Sequence, residues 1–297
     1  MAGYKYPEVS IVKNVYNVTR MFEADNAGQY DKAQGYTVSN GSNLVHFITS
    51  IETNDNVAIA HVTGKQSDNG HVSGRIATNR HYGHANDCTF YDNHFFIAQG
   101  GGGKELTKII YLRHPDKTLT DQSIYNYKPM NNSANGVAAL GSVSGIASIG
   151  HGYFALSQGM KVSICELHRD TKVFKEISRF RFSKIGDHLT RDGYDWVPQG
   201  IYCTASKIYK VFSYETEKGN EKIKRNDIGV FKFNSSTPSM IDKATFETSY
   251  SCDRTGKQLF EVESIGSPDG GNTMYMLTNI EEKGGKQTDV LYQVSFS

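Results

Sequence analysis

The sequence has little of what marks disulfide-rich, zinc-binding or membrane-spanning chains. It contains 4 cysteines among 297 residues, scattered and without a C-x-x-C pair, so we expect neither a zinc site nor a disulfide framework. No apolar run approaches the length of a membrane-spanning helix, so we expect no membrane insertion. The N-terminal residues lack the apolar core of a signal peptide. We therefore expect synthesis in the cytoplasm, with any extracellular role depending on lysis or an unconventional route of export.

An excess of charge of one sign and the common catalytic motifs are also absent. Lys and Arg number 32 against 31 Asp and Glu, a formal net charge of +1, which argues against a protein that binds nucleic acid along its phosphates. The sequence has no G-x-S-x-G, no glycine-rich phosphate loop and no H-E-x-x-H. Gly (29), Tyr (18) and Phe (15) are abundant, whereas Pro (6) is scarce. This composition favours strands and tight turns over long helices.

Five segments of the chain share one pattern, in which a short polar step is followed by an apolar entry, a turn and a run of aromatic and β-branched residues. The segments open near residues 32–38, 84–90, 142–148, 197–203 and 261–266. They recur at intervals of about 50–65 residues, the length of a four-stranded sheet with its turns, which is one blade of a β-propeller. We therefore predict an all-β chain, a five-bladed β-propeller in which residues 1–297 form a single domain.

The two ends of the chain predict how the ring of blades closes. The fifth repeat runs out at Ser297 after about three strands of ordinary length. Strand-like sequence at 9–12 and 15–22 precedes the first repeat. We predict that an N-terminal strand completes the last blade, because an open ring would leave strand edges exposed.

The polar step of each repeat is the candidate site. In a propeller the first strand of each blade runs along the central channel, and strand side chains alternate between faces. Residues two apart would then form two rings, one of Gln34, Asn86, Ser144, Gln199 and Glu263 and one of Lys32, His84, Ser142, Val197 and Glu261. All but Val197 are polar. Asp87 stands one residue further along, where the other repeats have Gly35, Gly145, Gly200 and Ser264.

Two interpretations of these polar residues stay open. In the first, they satisfy ordered water in a narrow channel and are only structural. In the second, they bind a ligand at one mouth of the channel, and the candidate residues are Lys32, Gln34, His84, Asn86, Asp87, Trp196, Gln199, Glu261 and Glu263. Amide, imidazole and carboxylate groups bind sugar hydroxyls or hold a hard cation, and a tryptophan stacks on a sugar face or plugs the core. No cofactor is expected, although a cation in the channel is compatible with these oxygens.

Catalysis is the less favoured interpretation of the same mouth. Glu261 and Glu263 look like a carboxylate pair, but a glycosidase needs its carboxylates on opposite sides of the scissile bond. Asp87 is the only residue in the other repeats that could supply the acid opposite Glu261 and Glu263. We therefore interpret the chain as a binding protein and keep a glycoside hydrolase or lyase as an alternative.

Parts of the sequence resemble the helveticin J family of bacteriocins. The similar stretches are the openings His84-Ala-Asn-Asp, Gln199-Gly-Ile and Glu261-Val-Glu-Ser-Ile, and the end Asp289-Val-Leu-Tyr-Gln-Val-Ser-Phe-Ser. The resemblance implies that His84, the Gln199-Gly200 step and the pair Glu261 and Glu263 correspond to the family's own motifs. Asn86-Asp87 departs from it, because the family has an acidic residue and alanine there.

A related likeness extends to propeller domains of phage tail fibres that attach to Gram-positive cell walls, where the ligand is teichoic acid. Both resemblances imply action at a bacterial envelope, outside the producing cell. We therefore expect a binder of cell-wall glycan or teichoic acid, specifically a helveticin-like antibacterial protein. A phage or phage-derived tail component and a glycoside hydrolase or lyase are the alternatives, and the oligomeric state is left open.

Overall fold

The computed structural model describes the strands given below and part of the connections between them. The described residues are 7–19, 32–38, 46–52, 56–63, 71–81, 86–92, 94–98, 107–111, 121–131, 136–182, 195–218, 221–238, 244–252, 257–282 and 287–296. They form an all-β fold of curled sheets. Among them, no helix is long and apolar enough to cross a bilayer.

The described residues contain twenty strands, and sixteen of them form four antiparallel meanders of four consecutive strands each. The first meander is β2 (Lys32–Val38), β3 (His46–Glu52), β4 (Asn56–Thr63) and β5 (His71–His81). The second is β6 (Asp87–Tyr91), β7 (His94–Ala98), β8 (Thr107–Tyr111) and β9 (Asp121–Lys128). The third is β10 (Gly145–Gly150), β11 (Tyr153–Gln158), β12 (Lys161–His168) and β13 (Val173–Arg181). The fourth is β14 (Asp195–Cys203), β15 (Lys207–Lys218), β16 (Glu221–Lys232) and β17 (Thr245–Ser251).

The last sheet joins the two ends of the chain. It contains β18 (Lys257–Gly266), β19 (Met274–Glu282) and β20 (Thr288–Phe296), and its fourth strand is the N-terminal β1 (Val9–Asn17). β1 pairs antiparallel with β20, from Val9 opposite Phe296 to Asn17 opposite Val290. The predicted pairing of an N-terminal strand with the last sheet is therefore present.

The number of separate sheets differs from the prediction. The described strands form four sheets, because β9 and β13 pair in parallel and merge the second and third meanders into one sheet of eight strands. The parallel ladder is short, from Val173 opposite Asn126 to Lys175 opposite Lys128. Local sequence patterns do not specify such a junction, because it joins the outer strands of two successive meanders.

The apolar core fills the spaces between neighbouring meanders. Phe182 and Phe231 stack with ring centroids 4.0 Å apart in the cluster that joins the third and fourth meanders. Phe96, Phe154 and Phe174 form a second cluster, with centroids 5.0–5.6 Å apart, in the eight-stranded sheet. A third cluster lies between the fourth meander and the last sheet. The aromatic runs of the repeats thus hold the sheets face to face.

The first strands of the five meanders meet at the centre. β2, β6, β10, β14 and β18 contact one another in cyclic order, since β18 also contacts β2. These strands lie on the five segments that share the polar step. The candidate site residues are therefore carried by neighbouring strands.

Candidate functional site

A bulge interrupts the first strands at the polar step. The pairing shifts by one residue between Ala33 and Gly35 in β2, and between Val262 and Ser264 in β18. It also shifts between Pro198 and Ile201 in β14. Because a bulge inserts an extra residue and re-aims the side chains beside it, residues two apart do not share a face here. The simple two-ring arrangement expected from strand alternation is wrong for these three strands.

Asp87 lies among the first strands with its side chain fully buried. Its Oδ2 atom accepts hydrogen bonds from the backbone N–H groups of Ile146 (3.1 Å) and Ile201 (3.0 Å). Its Oδ1 atom accepts one from the Ser264 hydroxyl at 2.9 Å. One carboxylate from β6 therefore binds β10, β14 and β18, and the structure places it in the interior of the ring of strands.

Small residues make room for this carboxylate. A Cβ atom at Gly200 would lie 3.0 Å from the carbonyl oxygen of Glu263 and 3.1 Å from Oδ1 of Asp87. A Cβ atom at Gly145 would lie 2.4 Å from the Ser157 hydroxyl. These distances are shorter than ordinary van der Waals contact, so the glycines of the repeat are required by close approach at the centre.

Lys210 on β15 is the cationic neighbour of Asp87 and is equally buried. Its ammonium group donates to the Ser157 hydroxyl (3.4 Å) and to the carbonyl oxygens of Gln199 and Gly200. Burial lowers the pKa of Lys210 to about 8, which the charge of Asp87 opposes. Burial raises the pKa of Asp87 to about 7, against the effect of its hydrogen bonds and of Lys210. Each charge is stabilised by the other because water cannot reach either.

Other buried side chains likewise satisfy backbone groups on the central strands. On the inner edge of each meander, backbone N–H and C=O groups have no neighbouring strand to pair with, and they need another hydrogen-bond partner when they are buried. Thr89 accepts from the N–H of Ser148 (3.0 Å), Asn226 from that of Val262 (3.0 Å) and Asp289 from that of Ala33 (2.9 Å). Each bond joins one meander to the next. Much of the polar character of the ring is therefore internal to the fold.

Two of the predicted site residues meet in a network that extends towards the surface. The side-chain amide of Gln199 donates to Oε1 of Glu261 at 3.0 Å. The Lys224 ammonium binds the other carboxylate oxygen of Glu261 and lies 3.6 Å from the Glu215 carboxylate. Glu261 is almost fully buried, whereas the Lys224 and Glu215 side chains are 12% and 24% exposed. We call these four residues the mouth network.

Glu263 lies beside the mouth network but has a different partner. Its carboxylate accepts a hydrogen bond from the Asn279 side-chain amide on β19. The Oδ1 atom of Asn279 is buried, and no described residue donates a hydrogen bond to it. A buried acceptor of this kind is normally satisfied by water or by a ligand.

The remaining predicted residues are placed less completely. Gln34 is buried in the bulge of β2, and Asn86, directly before β6, is half-buried. Lys32 and Trp196 lie in β2 and β14, but their side chains are outside what the structure describes, as is the whole of His84. The binding role of all nine residues stays a prediction.

Residues on the second and later strands also contribute to these contacts, and the repeat pattern did not predict them. Lys210, Lys224, Asn226 and Asn279 each bind a residue of the central strands or the mouth network. Lys210 carried a recognisable signal, since a lysine within the apolar run Lys207-Ile-Tyr-Lys-Val-Phe is rarely buried unless paired. The others had no signal beyond their polarity.

Comparison with known proteins identifies the fold but no family. No family model and no curated protein matches the chain. The tail fibre of Staphylococcus aureus phage P68 has a similar structure, with a TM-score of 0.50 at 11% identity over 98% of this chain and 53% of that one. The chain shares its fold with propeller proteins. It spans about half of the tail fibre, and membership of the helveticin J family is not shown.

Two carbohydrate-active enzymes are also similar in structure. The α-L-arabinofuranosidase of Lactobacillus brevis has a TM-score of 0.49 at 10% identity, covering 87% of this chain and 89% of that one. The GH43_1 enzyme of Xanthomonas citri has a TM-score of 0.47 at 10% identity, covering 90% and 88%.

Proposed function

We propose that this protein binds a glycan of the bacterial cell envelope, teichoic acid or a similar polymer, and acts as a helveticin-like antibacterial protein. The ligand is held at the mouth of a five-bladed propeller whose blades are the five meanders. The cyclic contacts of β2, β6, β10, β14 and β18 support this number of blades. The parallel pairing of β9 with β13 then joins the outer strands of two neighbouring blades.

The mouth network is the observation that carries the proposal. Gln199, Glu261 and Lys224 supply an amide, a carboxylate and an ammonium group from three strands, already connected by hydrogen bonds. Sugar hydroxyls both donate and accept, so they bind best where donors and acceptors are interleaved. Lys224 also offers a cation to a phosphate of the polymer. No described residue donates a hydrogen bond to the Oδ1 atom of Asn279. The side-chain amide of the same residue donates to Glu263, which lies next to this network.

The position of Asp87 disfavours hydrolysis at this mouth. Its carboxylate is buried and accepts hydrogen bonds from Ile146, Ile201 and Ser264. The acid that a glycosidase would need on the opposite side of the scissile bond is therefore already used in contacts within the protein. Binding without cleavage is therefore the activity that we expect.

The test is a pull-down of purified protein with whole Gram-positive cells and with isolated wall teichoic acid, combined with mass spectrometry of released fragments. We expect binding without fragments. Glu261→Gln and Glu263→Gln should each weaken binding about tenfold or more, because each removes a carboxylate charge that strengthens hydrogen bonds to the sugar hydroxyls. Glu166→Gln, a half-exposed position on β12, is the matched control and should bind like wild type.

Several outcomes would contradict the proposal. Wild-type binding by both glutamate variants and by His84→Ala would remove the site from this mouth. Released fragments would favour a glycoside hydrolase or lyase.

A phage or phage-derived tail component is the second candidate, since the shared fold extends over 98% of this chain. A killing assay separates it from the antibacterial protein. The isolated chain kills sensitive cells only if it is antibacterial, whereas a tail component binds the same cells without killing them and assembles with other tail proteins.

A further inference from the structure

A concave site lies away from the mouth network. A cavity of about 310 Å³ opens between the fourth meander and the last sheet, bounded by β15, β16, β17, β19, β20 and residues 271–272. Its size is at the lower end of the roughly 300–1,000 Å³ of small-molecule sites. It therefore suits a ligand of one or two sugar rings better than a polypeptide segment.

Three aromatic rings form one wall of this cleft. Phe296 packs edge-on against Tyr250, with ring centroids 5.0 Å apart, and lies 5.6 Å from Tyr209. Tyr209 is 8% exposed, and the other two rings are half-buried. Their mutual packing fixes the rings, so a ligand need not order them when it binds. A fixed aromatic wall with an open part is suited to the apolar C–H face of a pyranose.

The polar groups of the cleft favour a neutral ligand with hydroxyl groups. The Glu247 carboxylate lies 3.6 Å from the Lys207 ammonium and 3.3 Å from that of Lys232. Of these two lysines only Lys207 lines the cleft, so the lining carries one carboxylate and one ammonium group, and the carboxylate can accept hydrogen bonds without requiring a cationic ligand. Burial, with Glu247 and Tyr250 nearby, raises the pKa of Tyr209, so that its phenol stays a neutral hydrogen-bond donor.

We propose that this cleft binds one pyranose ring of a glycan, stacked on the wall of Tyr209, Tyr250 and Phe296 and hydrogen-bonded to Glu247. The site uses none of the residues of the mouth network. It therefore stands independently of the proposed function and would give the protein a second glycan contact.

Met274 lines the cleft and provides a direct reporter. Protein labelled with ¹³C at its methionine methyl groups is titrated with methyl β-D-N-acetylglucosaminide, and the Met274 resonance is assigned through Met274→Leu. We expect a saturable shift of Met274 with a Kd of about 1 mM. Met160, which packs in the cluster between the third and fourth meanders, should not move. Sorbitol carries hydroxyl groups without a ring face and should not shift Met274.

Variants of the aromatic wall complete the test. Tyr250→Ala should weaken sugar binding, measured as the Kd from the Met274 shift, by about fivefold or more, since stacking contributes on the order of 1 kcal/mol. Tyr250→Phe keeps the ring and should bind within about twofold of wild type. Glu261→Gln should leave the Met274 shift unchanged even where it abolishes binding to teichoic acid.

The proposal is overturned if the sugar gives no saturable shift of Met274 in the wild-type protein. It is equally overturned if sorbitol produces the same shift, or if Tyr250→Ala, folded as judged by its other methionine resonances, binds like wild type. None of these results depends on the mouth network, so failure here is distinguishable from failure of the proposed function.

Discussion

The side chain of Asp87 contacts three central strands that belong to other meanders. Its carboxylate binds two backbone N–H groups and one hydroxyl, and its charge is opposed by the buried ammonium of Lys210. A charge buried in this way is tolerated only when its partners are in place. Asp87 and Lys210 therefore act as a pair, and each depends on the other.

Removing one member of this pair should be costly. Asp87→Ala leaves the N–H groups of Ile146 and Ile201 without their acceptor and Lys210 without its counter-charge, so we expect a loss of about 3–5 kcal/mol in unfolding free energy. The double variant Asp87→Ala/Lys210→Met should lose less than the sum of the two single variants. Denaturant unfolding measures all three. Strict additivity would show that the two charges do not interact.

The same carboxyl group should make stability depend on pH. Its pKa rises from 3.8 in the unfolded chain to about 7 in the folded protein, so its contribution is fully present below pH 3.8 and is lost as the pH rises through 7. The unfolding free energy of wild type relative to Asp87→Asn should therefore fall by more than about 1 kcal/mol between pH 4 and pH 7. Parallel pH curves for the two proteins would refute this assignment.

At the scale of single strands, the recurrent feature is the bulge at the polar step. It is present at Gln34, at Gln199-Gly200 and at Glu263. A bulge bends its strand and increases the local twist. In this chain it brings Gly200 against the backbone of Glu263 and Ser264, and so fixes how closely β14 and β18 approach.

A methyl group at this point of approach should be destabilising. In Gly200→Ala the new Cβ atom would lie 3.0 Å from the backbone of β18, which cannot move away as a flexible side chain would. We expect a loss of about 1–3 kcal/mol. Gly141→Ala is the matched control, because the nearest atom to its Cβ is 3.6 Å away, and it should change stability by no more than about 0.5 kcal/mol. Equal midpoints in denaturant for both variants would contradict the close approach.

At the scale of the whole molecule, two junctions connect elements that are far apart in the sequence. β1 pairs with β20, and Asp289, before the start of that pairing, binds the N–H of Ala33 in β2. β9 pairs with β13, and beside this junction Glu176 accepts hydrogen bonds from Tyr127 (2.9 Å) and from the N–H of Met130 (2.8 Å). Both junctions convert separate meanders into one connected structure.

Deleting residues 1–17 tests the first junction. The deletion exposes the edge of β20 and removes the buried side chains of Val15 and Tyr16, so we expect a loss of more than about 3 kcal/mol and association through the free edge. Size-exclusion chromatography and denaturant unfolding measure these effects. A synthetic peptide of residues 7–19 should restore the elution volume of the full chain, whereas a scrambled peptide should not. A deletion variant that elutes and unfolds like the full chain would show that β1 is dispensable.

Local sequence patterns were sufficient to predict many of the strands and the connection between the ends of the chain. The polar steps with their apolar entries predicted the five first strands, and the runs of aromatic and β-branched residues predicted the strands that follow them. The spare strand-like sequence at 9–12 and 15–22 predicted the partner of β20, because an open edge has to be covered. The polar step of the repeat likewise predicted Gln199 and Glu261 as candidate site residues. Their hydrogen bond was not predicted, because the bulges shift the register that simple alternation assumes.

The contacts between separate meanders could not be predicted from local patterns and depend on how the sheets pack. The enclosure of Asp87 by β10, β14 and β18, its pairing with Lys210 and the parallel junction of β9 and β13 all depend on how separate meanders pack. The aromatic wall of the cleft likewise combines β15, β17 and β20. A local pattern sets the secondary structure of each strand and the side chains that it buries. It does not set the angle and register at which two sheets pack, and those determine whether a buried charge finds its partner.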